Sequence, residues 1–334
     1  MVQISVVIPV FNEEESLPEL TQWIERVMSA HGFAYEIIFV NDGSTDNSWE
    51  VIRKLFLKNG HIRAVGFTRN YGKSAALDMG FDKANGEVVI TMDADLQDSP
   101  DEIPELYKMV KEEGFDIVSG WKKKRHDPIT KTIPSRFFNR TTRLISGIKL
   151  HDFNCGLKAY KNKVVKNIHI YGEMHRYIPL IAKWNGFSKI GEKVVEHRPR
   201  KYGYTKFGIE RFFNGFLDLI SVSFVNRYKK NPMHFFGSLG SVSFLSGFLI
   251  TIYLIFEKVK GLQKGIAVRE ITDQPLFFLA IVAVIIGVQL FLTGFLAEMM
   301  TSNNSRKTDY TLMKKLIFPI DVFLHRSARI QPAK

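Results

Sequence analysis

The stretch Thr91-Met-Asp-Ala-Asp-Leu-Gln-Asp-Ser-Pro100 sets Asp93, Asp95, Gln97 and Asp98 within six positions, in a chain whose formal net charge is +12. Carboxylate and amide oxygens are hard donors that suit Mg2+ or Mn2+. Asp93 and Asp95 stand two apart, so both can face one ion where the chain bends, and Gln97 could add a neutral oxygen. An ion there would offset the acid and grip a diphosphate whose leaving group carries charge away. A bare Asp-x-Asp is more often a solvated turn or a helix cap. Its place directly after the apolar run Val88-Val89-Ile90 tips the balance. A second acidic loop, Asn41-Asp42-Gly43-Ser44-Thr45-Asp46, follows Ile37-Ile38-Phe39-Val40. Asp42 there would accept hydrogen bonds from a base or a ribose, or close a local turn with Gly43.

These loops need a scaffold, and the first 200 or so residues supply one. Ile4–Val10, Tyr35–Val40, Arg63–Phe67, Val88–Met92 and Asp116–Ser119 read as strands. Helical patterns, Ser16–Ala30, Ser48–Lys58 and Ser74–Ala84, lie between the first four. Such alternation predicts an α/β domain with a mostly parallel sheet covered by helices, and strands apolar on both faces fit a sheet buried on both sides. In open sheets of this kind ligands bind beyond the carboxyl ends of strands, where both acidic loops fall. The first such loop, Phe11-Asn12-Glu13-Glu14-Glu15, lacks the glycines of a dinucleotide fold, and no Walker-type phosphate loop occurs. Cys155 is the single cysteine, which excludes an internal disulfide. Basic residues scatter without a nucleic-acid motif, so no nucleic-acid partner is expected. Met1–Val10 has no basic leader and reads as a buried strand, so no export signal is expected.

Near residue 230 the composition changes. Phe235–Phe256 and Leu276–Ala297 each contain no charged residue, and at ~1.5 Å rise per residue each covers a hydrocarbon core of about 30 Å. Phe207–Phe224 sets Phe207, Phe212, Phe213, Phe216, Leu217 and Ile220 beside Lys206 and Arg211, the pattern of an interfacial amphipathic helix. The expected organisation is a cytoplasmic domain over 1–206, a juxtamembrane helix over 207–230, a two-helix transmembrane hairpin over 231–300 and a cytoplasmic tail over 301–334. The loop between the spans also carries Lys258, Lys260, Lys264 and Arg269, which weakens the positive-inside signal. Both termini are placed in the cytoplasm because the N-terminal domain has no export signal.

Val7-Ile8-Pro9-Val10-Phe11-Asn12-Glu13, Val40-Asn41-Asp42-Gly43-Ser44-Thr45-Asp46 and Asp93-Ala94-Asp95-Leu96-Gln97-Asp98 together resemble the family 2 glycosyltransferases of the GT-A, Rossmann-like fold. Asp152-Phe-Asn-Cys-Gly-Leu-Lys158, Glu173-Met-His-Arg-Tyr177 and His197-Arg-Pro-Arg-Lys-Tyr-Gly-Tyr-Thr-Lys206, with the two spans, extend the resemblance to the polyprenyl-phosphate branch of that family. It covers roughly residues 1–300.

The resemblance implies inverting transfer of one sugar from a nucleotide donor to a membrane polyprenyl phosphate, undecaprenyl or dolichyl. Glucose from UDP is the favoured donor, with GDP-mannose or another UDP-sugar as alternatives. It further implies that Asp93, Asp95 and Gln97 hold the metal and diphosphate, with Mg2+ or Mn2+ as cofactor. Asp42 would then take the base, and Pro9 and Glu13 would begin the nucleotide pocket. Arg200 and Lys206 match the basic loop that closes over the diphosphate, where two cations would offset charge on the leaving nucleotide. A phosphate acceptor is already an anion, so cations that position it matter more than a general base. Arg136 matches the family arginine that grips the lipid phosphate. Lys122 stands where relatives commonly carry Arg, and Arg140 where some carry Ser. Asp152 faces the transferred sugar or caps a helix. Membrane lipids and a second copy of the chain are the remaining expected partners. A processive synthase would carry a Gln-x-x-Arg-Trp motif and more spans; a non-enzymatic sugar-nucleotide sensor would not need Asp95.

Overall fold

Ile4, Val6, Ile8 and Val10 of strand β1 (Ile4–Val10) bury themselves in one layer while Val7 points into the other. A strand with period-two side chains that is apolar on both faces can only sit inside a sheet covered on both sides. The computed structural model describes residues 2–123, 139–144, 146–199, 201–202, 224, 228, 231–265 and 269–304. Arg136, Arg200, Lys206 and the expected interfacial helix, apart from Phe224, lie outside the described residues, as does the tail beyond 304.

The remaining strands are β2 (Tyr35–Asn41), β3 (Ile62–Gly66), β4 (Val88–Thr91), β5 (Ile117–Trp121), β6 (Lys158–Lys161) and β7 (Ile190–Val194). Among the described residues they form one seven-stranded sheet in the order β3-β2-β1-β4-β6-β5-β7. β2 and β4 flank β1 in parallel, and β6 runs antiparallel to both of its neighbours. The sheet is therefore mixed, with its parallel half carrying both acidic loops. β6 and β7 were not expected from sequence.

Helix α1 (Leu17–Ala30) buries Leu17, Leu20, Ile24, Val27 and Met28, the stripe that 3.6-residue periodicity lays on one face. It covers the layer of Ile4, Ile8, Ile37, Phe39 and Ile90. Helix α3 (Lys73–Lys83) covers the other layer, where Ala76, Leu77 and Phe81 meet Val7, Ile38, Val40 and Val89. Each Val, Leu, Ile or Phe side chain among these contributes ~1.5–3 kcal/mol on burial. α2 (Ser48–Lys58) matches its expected bounds, and α4 (Ile103–Lys111) fills a stretch where no helix was expected.

Two long helices close the described chain, Pro232–Gln263 and Pro275–Asn304, enclosing the expected spans. Both are long and apolar enough to cross a membrane. Their outer residues, among them Leu249, Phe256, Phe278 and Leu296, are exposed, as lipid contact requires. Small residues line their seam: a Cβ on Gly247 would lie 2.5 Å from the Ala280 carbonyl oxygen, and Ser243 Oγ donates to the Ala283 carbonyl at 2.8 Å. Glu298 accepts the Met233 backbone N–H at 3.2 Å and so caps the first helix from the second. Rings of Phe224, Tyr228, Phe235 and Phe236 cluster at the start of that helix, at centroid separations of 4.9 to 5.7 Å.

Candidate active site

β1, β2 and β4 end together. Val10 pairs with Asn41, and Val7 pairs with Thr91, so the segments that follow emerge along one edge of the sheet. The loops after β1 and β2 are stitched to each other: the Asn12 N–H donates to Ser44 Oγ at 3.0 Å, the Glu13 N–H to Ser48 Oγ at 2.9 Å and the Thr45 N–H to Asn12 Oδ1 at 2.8 Å. Pro9 lies on β1 beside Val40, and Glu13 also accepts Ser16 Oγ at its carbonyl, at 3.0 Å. The two residues expected to open a nucleotide pocket therefore belong to one cross-linked rim.

Asp42 lies one residue past β2, buried. Its Oδ1 accepts the Tyr71 N–H at 2.7 Å and its Oδ2 the Gly72 N–H at 2.9 Å. Gly72 is the residue before α3, with φ of 93°. Burial pushes the Asp42 carboxyl up from its ordinary value, and these two N–H donors only partly offset it. The turn with Gly43 is thus not what occupies this carboxylate; the start of α3 is.

The first residue of α3 is Lys73, and its ammonium makes an ion pair and hydrogen bond with Asp93 Oδ1. Asp93 is flanked on its other side by Gly156, where a Cβ would come within 2.5 Å of Oδ2. Burial would raise the Asp93 carboxyl, but the Lys73 and Lys122 ammonium groups, with His175 nearby, outweigh it and hold the carboxyl down at about 2. Asp93 is therefore a permanent anion at neutral pH. Lys73 was not singled out from sequence, although it stands at the N-terminal end of an expected helix.

Past Asp93 the chain turns sharply. Leu96 takes φ of 61°, and the Gln97 N–H folds back onto Asp95 Oδ1 at 3.2 Å. The bend follows Asp95 and turns the chain back onto its carboxylate. Gln97 is held from outside as well: its carbonyl accepts the Arg198 N–H at 3.0 Å, and its amide reaches the Arg198 carbonyl at 3.4 Å. Asp98 bridges to His197 through the backbone. Arg198 stacks over Trp23 at 4.3 Å and Lys201 pairs with Glu19 at 2.6 Å. His197 and Arg198 are thereby held to the loop after β4, and Arg198 and Lys201 to α1.

Lys122, expected beside the acceptor, is placed 2.9 Å from the buried Asp98 carboxylate. Burial would strip its proton, but Asp98, Cys155 and Asp93 raise its pKa above the ordinary lysine value. Asp152 is buried; its Oδ1 accepts the Asn154 N–H at 3.0 Å, and Glu192 accepts the Asp152 N–H at 3.0 Å. These bonds close a local turn ahead of β6, and no helix starts there for Asp152 to cap. The turn it begins is completed by Lys158, whose buried ammonium donates to the carbonyls of Phe153, at 3.2 Å, and Cys155. Burial lowers the pKa of Lys158 and pushes the Cys155 thiol up to about 12, which removes that thiol as a nucleophile. His175 joins the site through Ser74: its N–H donates to Ser74 Oγ at 3.0 Å, and Nδ1 lies 3.1 Å from the same oxygen. Arg140 is exposed on a helical stretch at 139–144.

Among the described residues no three His, Cys, Asp or Glu side chains stand close enough to hold a metal by themselves. Asp93 and Asp95 with Gln97 offer a partial set of hard oxygens, one of them already ionised against a cation. That set fits a divalent ion that takes its remaining ligands from a bound diphosphate.

Residues 5–169 match the model of "Glycosyl transferase family 2". The chain is 39% identical over 300 residues, 89% of its length and 87% of the relative's, to dodecaprenyl-phosphate galacturonate synthase of Rhizobium johnstonii. It is 36% identical, over 88% of its length and 84% of the relative's, to undecaprenyl-phosphate 4-deoxy-4-formamido-L-arabinose transferase of Pseudomonas aeruginosa. In fold it is similar to glucosyl-3-phosphoglycerate synthase of Mycobacterium tuberculosis in complex with Mn2+ and UDP-glucose, with a TM-score of 0.51 and 20% identity, covering 67% of this chain and 79% of that one.

Proposed function

Since the chain belongs to glycosyl transferase family 2, among the polyprenyl-phosphate glycosyltransferases, we propose that it moves one sugar from a nucleotide diphosphate onto a membrane polyprenyl phosphate, inverting the anomeric carbon. The observation that carries this reading is the Asp93 carboxylate just past the carboxyl end of β4, ion-paired with Lys73 and joined through the start of α3 to the buried Asp42. Asp42 takes the base, and Pro9 and Glu13 form the rim of its pocket. Asp93, Asp95 and Gln97 would hold Mg2+ or Mn2+, which when bound supplies positive charge against the leaving diphosphate. The acceptor phosphate needs no base because it arrives as an anion; Arg136 and Arg140 orient it, and Arg200 and Lys206 cover the departing nucleotide.

For the sugar, a uronic acid of the galacturonate kind leads, in keeping with the name of the Rhizobium relative. A second anionic group on the donor also suits a site where Lys73, Lys122 and His175 surround Asp93. A formamido-arabinose comes next, and glucose, favoured from sequence, follows. UDP is the proposed nucleotide. The two long apolar helices hold the domain at the surface of the bilayer, where a polyprenyl tail must stay, and the catalytic side faces the cytoplasm.

The test uses the purified full chain in detergent with Mg2+ or Mn2+, undecaprenyl phosphate and a panel of UDP- and GDP-sugars. Mass spectrometry of the lipid should find one added sugar, abolished by excess chelator. A lipid left unmodified by every donor, or a product undiminished in chelator, would sink the proposal.

A further inference from the structure

Lys73 is paired with Asp93, one of the two carboxylates that would hold a divalent ion. Its ammonium sits on Asp93 Oδ1, while Asp93 Oδ2 is backed by Gly156 so closely that not even a methyl group fits between them. Gly156 backs the whole carboxylate, since its added Cβ would also lie 2.8 Å from Oδ1, and an ion that draws on Oδ1 meets the Lys73 ammonium there. Among the described residues no three His, Cys, Asp or Glu side chains cluster as a metal set, so an ion arriving alone would have to displace a cation while gaining only part of a coordination shell.

The placement of Lys73 is not independent of the nucleotide pocket. It directly follows Tyr71 and Gly72, whose two N–H groups are held by the two oxygens of Asp42 at 2.7 and 2.9 Å. Any base or ribose that draws on Asp42 competes for the acceptor that fixes this backbone, and so acts on the residue that carries the ammonium. Three consecutive residues join the two ends of the donor site.

Resting on the reading of Asp93 and Asp95 as the metal ligands, we propose that Lys73 is a placeholder cation: it keeps Asp93 shaped and charged while the donor is absent, and it makes the divalent ion enter together with the nucleotide diphosphate rather than before it. When the diphosphate arrives, its oxygens complete the shell of the ion and also offer the displaced ammonium new acceptors, so the exchange no longer leaves a cation unpaired. Lys73 is a positioning residue in this scheme. It stays protonated throughout, and no bond is made or broken.

The test measures Mn2+ binding by electron paramagnetic resonance of the free ion, on the full chain in detergent, with no nucleotide, with saturating UDP and, in a parallel arm, with GDP. The variants are Lys73→Met and Lys73→Gln, with Lys73→Arg as the charge-retaining control and thermal melting to confirm folding of each. In the wild type, Mn2+ should bind weakly alone and much more tightly with nucleotide. Removing the charge should tighten nucleotide-free Mn2+ binding by up to about fivefold, the scale set by a partly exposed ion pair, and shrink the tightening that nucleotide provides, since the coupling is reciprocal. Lys73→Arg should behave as the wild type. Unchanged or weaker nucleotide-free binding in both neutral variants overturns the placeholder and leaves the metal reading standing. Absence of Mn2+ binding to the wild type with either nucleotide overturns the metal reading, and the placeholder with it.

Discussion

The Asp93 carboxylate lies against the backbone of Gly156, where a Cβ would stand 2.5 Å from Oδ2 and 2.8 Å from Oδ1. Gly156 belongs to the turn that Asp152 starts and the buried Lys158 ammonium closes. The motif Asp152-Phe-Asn-Cys-Gly-Leu-Lys158 therefore walls the metal-type site from behind.

Gly156→Ala should consequently act on the site more than on the fold. The added methyl must push Asp93 off its place, at the ~1–3 kcal/mol typical of overpacking, and a carboxylate moved by a fraction of an ångström no longer meets its ion. Transfer should fall at least about tenfold, with melting lowered by a few degrees. A variant that transfers at the wild-type rate would show that Asp93 does not need this wall.

Asp42 and Asp93 are pushed in opposite directions, and the pH response separates them. Burial raises the Asp42 carboxyl, so the native chain takes up this proton more readily than the unfolded one. Its cost to stability builds as pH rises from the unfolded value, ~3.9, through the higher folded one. Asp93, held at about 2, does the reverse: its contribution is present above the unfolded value and is lost only as pH falls toward about 2. On acidification Asp42 is thus neutralised first. UDP affinity, followed by calorimetry, should drop while Asp93 is still charged, and Asp42→Asn should bind UDP more weakly at neutral pH but without that drop. A wild-type profile flat down to the ordinary carboxylate range would refute the role of Asp42.

The parallel half of the sheet and both acidic loops were legible because each strand there is apolar on two faces and each helix keeps a 3.6-residue stripe. β6 was not. Lys158-Ala-Tyr-Lys161 has no apolar run, and it is a strand because it pairs with two distant neighbours that cover the stem of Lys158. α4 was hidden by Pro100 and Pro104, which fit its first turns while reading as breakers. In the candidate site, Asp42, Asp93 and Asp95 are legible from their places after apolar runs, and they do follow the ends of β2 and β4. Lys73, Gly156 and His175 acquire meaning only through contacts across 20 or more residues of sequence. Lys122 was legible as a cation near the site, but its pairing with Asp98 joins the end of β5 to the loop after β4 and needed the fold to appear.

The helix hairpin rests on close approach of backbones. A Cβ on Gly240 would lie 2.7 Å from the Gly287 carbonyl oxygen and 2.8 Å from the Phe291 nitrogen. Gly240→Leu should therefore force the two helices apart and lower the melting temperature in detergent. Leu249→Ala, on an outward position 62% exposed, should leave it nearly unchanged. Equal melting of the two variants would mean the seam does not hold the pair.

Asp98 and Lys122 offer a test in which stability and chemistry part company. Asp98 is fully buried and Lys122 nearly so, at 14% side-chain exposure. Removing one partner strands the other charge without water, at about 3–5 kcal/mol, whereas replacing both with apolar groups is often close to neutral. Asp98→Ala should therefore melt well below the wild type, and the double variant Asp98→Leu with Lys122→Met should recover much of that loss. Transfer should not recover with it. The pair ties the Asp93–Gln97 turn to the end of β5, and the charge of Lys122 acts on Asp93, so a refolded double variant keeps its sheet but loses a cation of the site. A double variant that regains both melting and turnover would reduce this pair to a packing device.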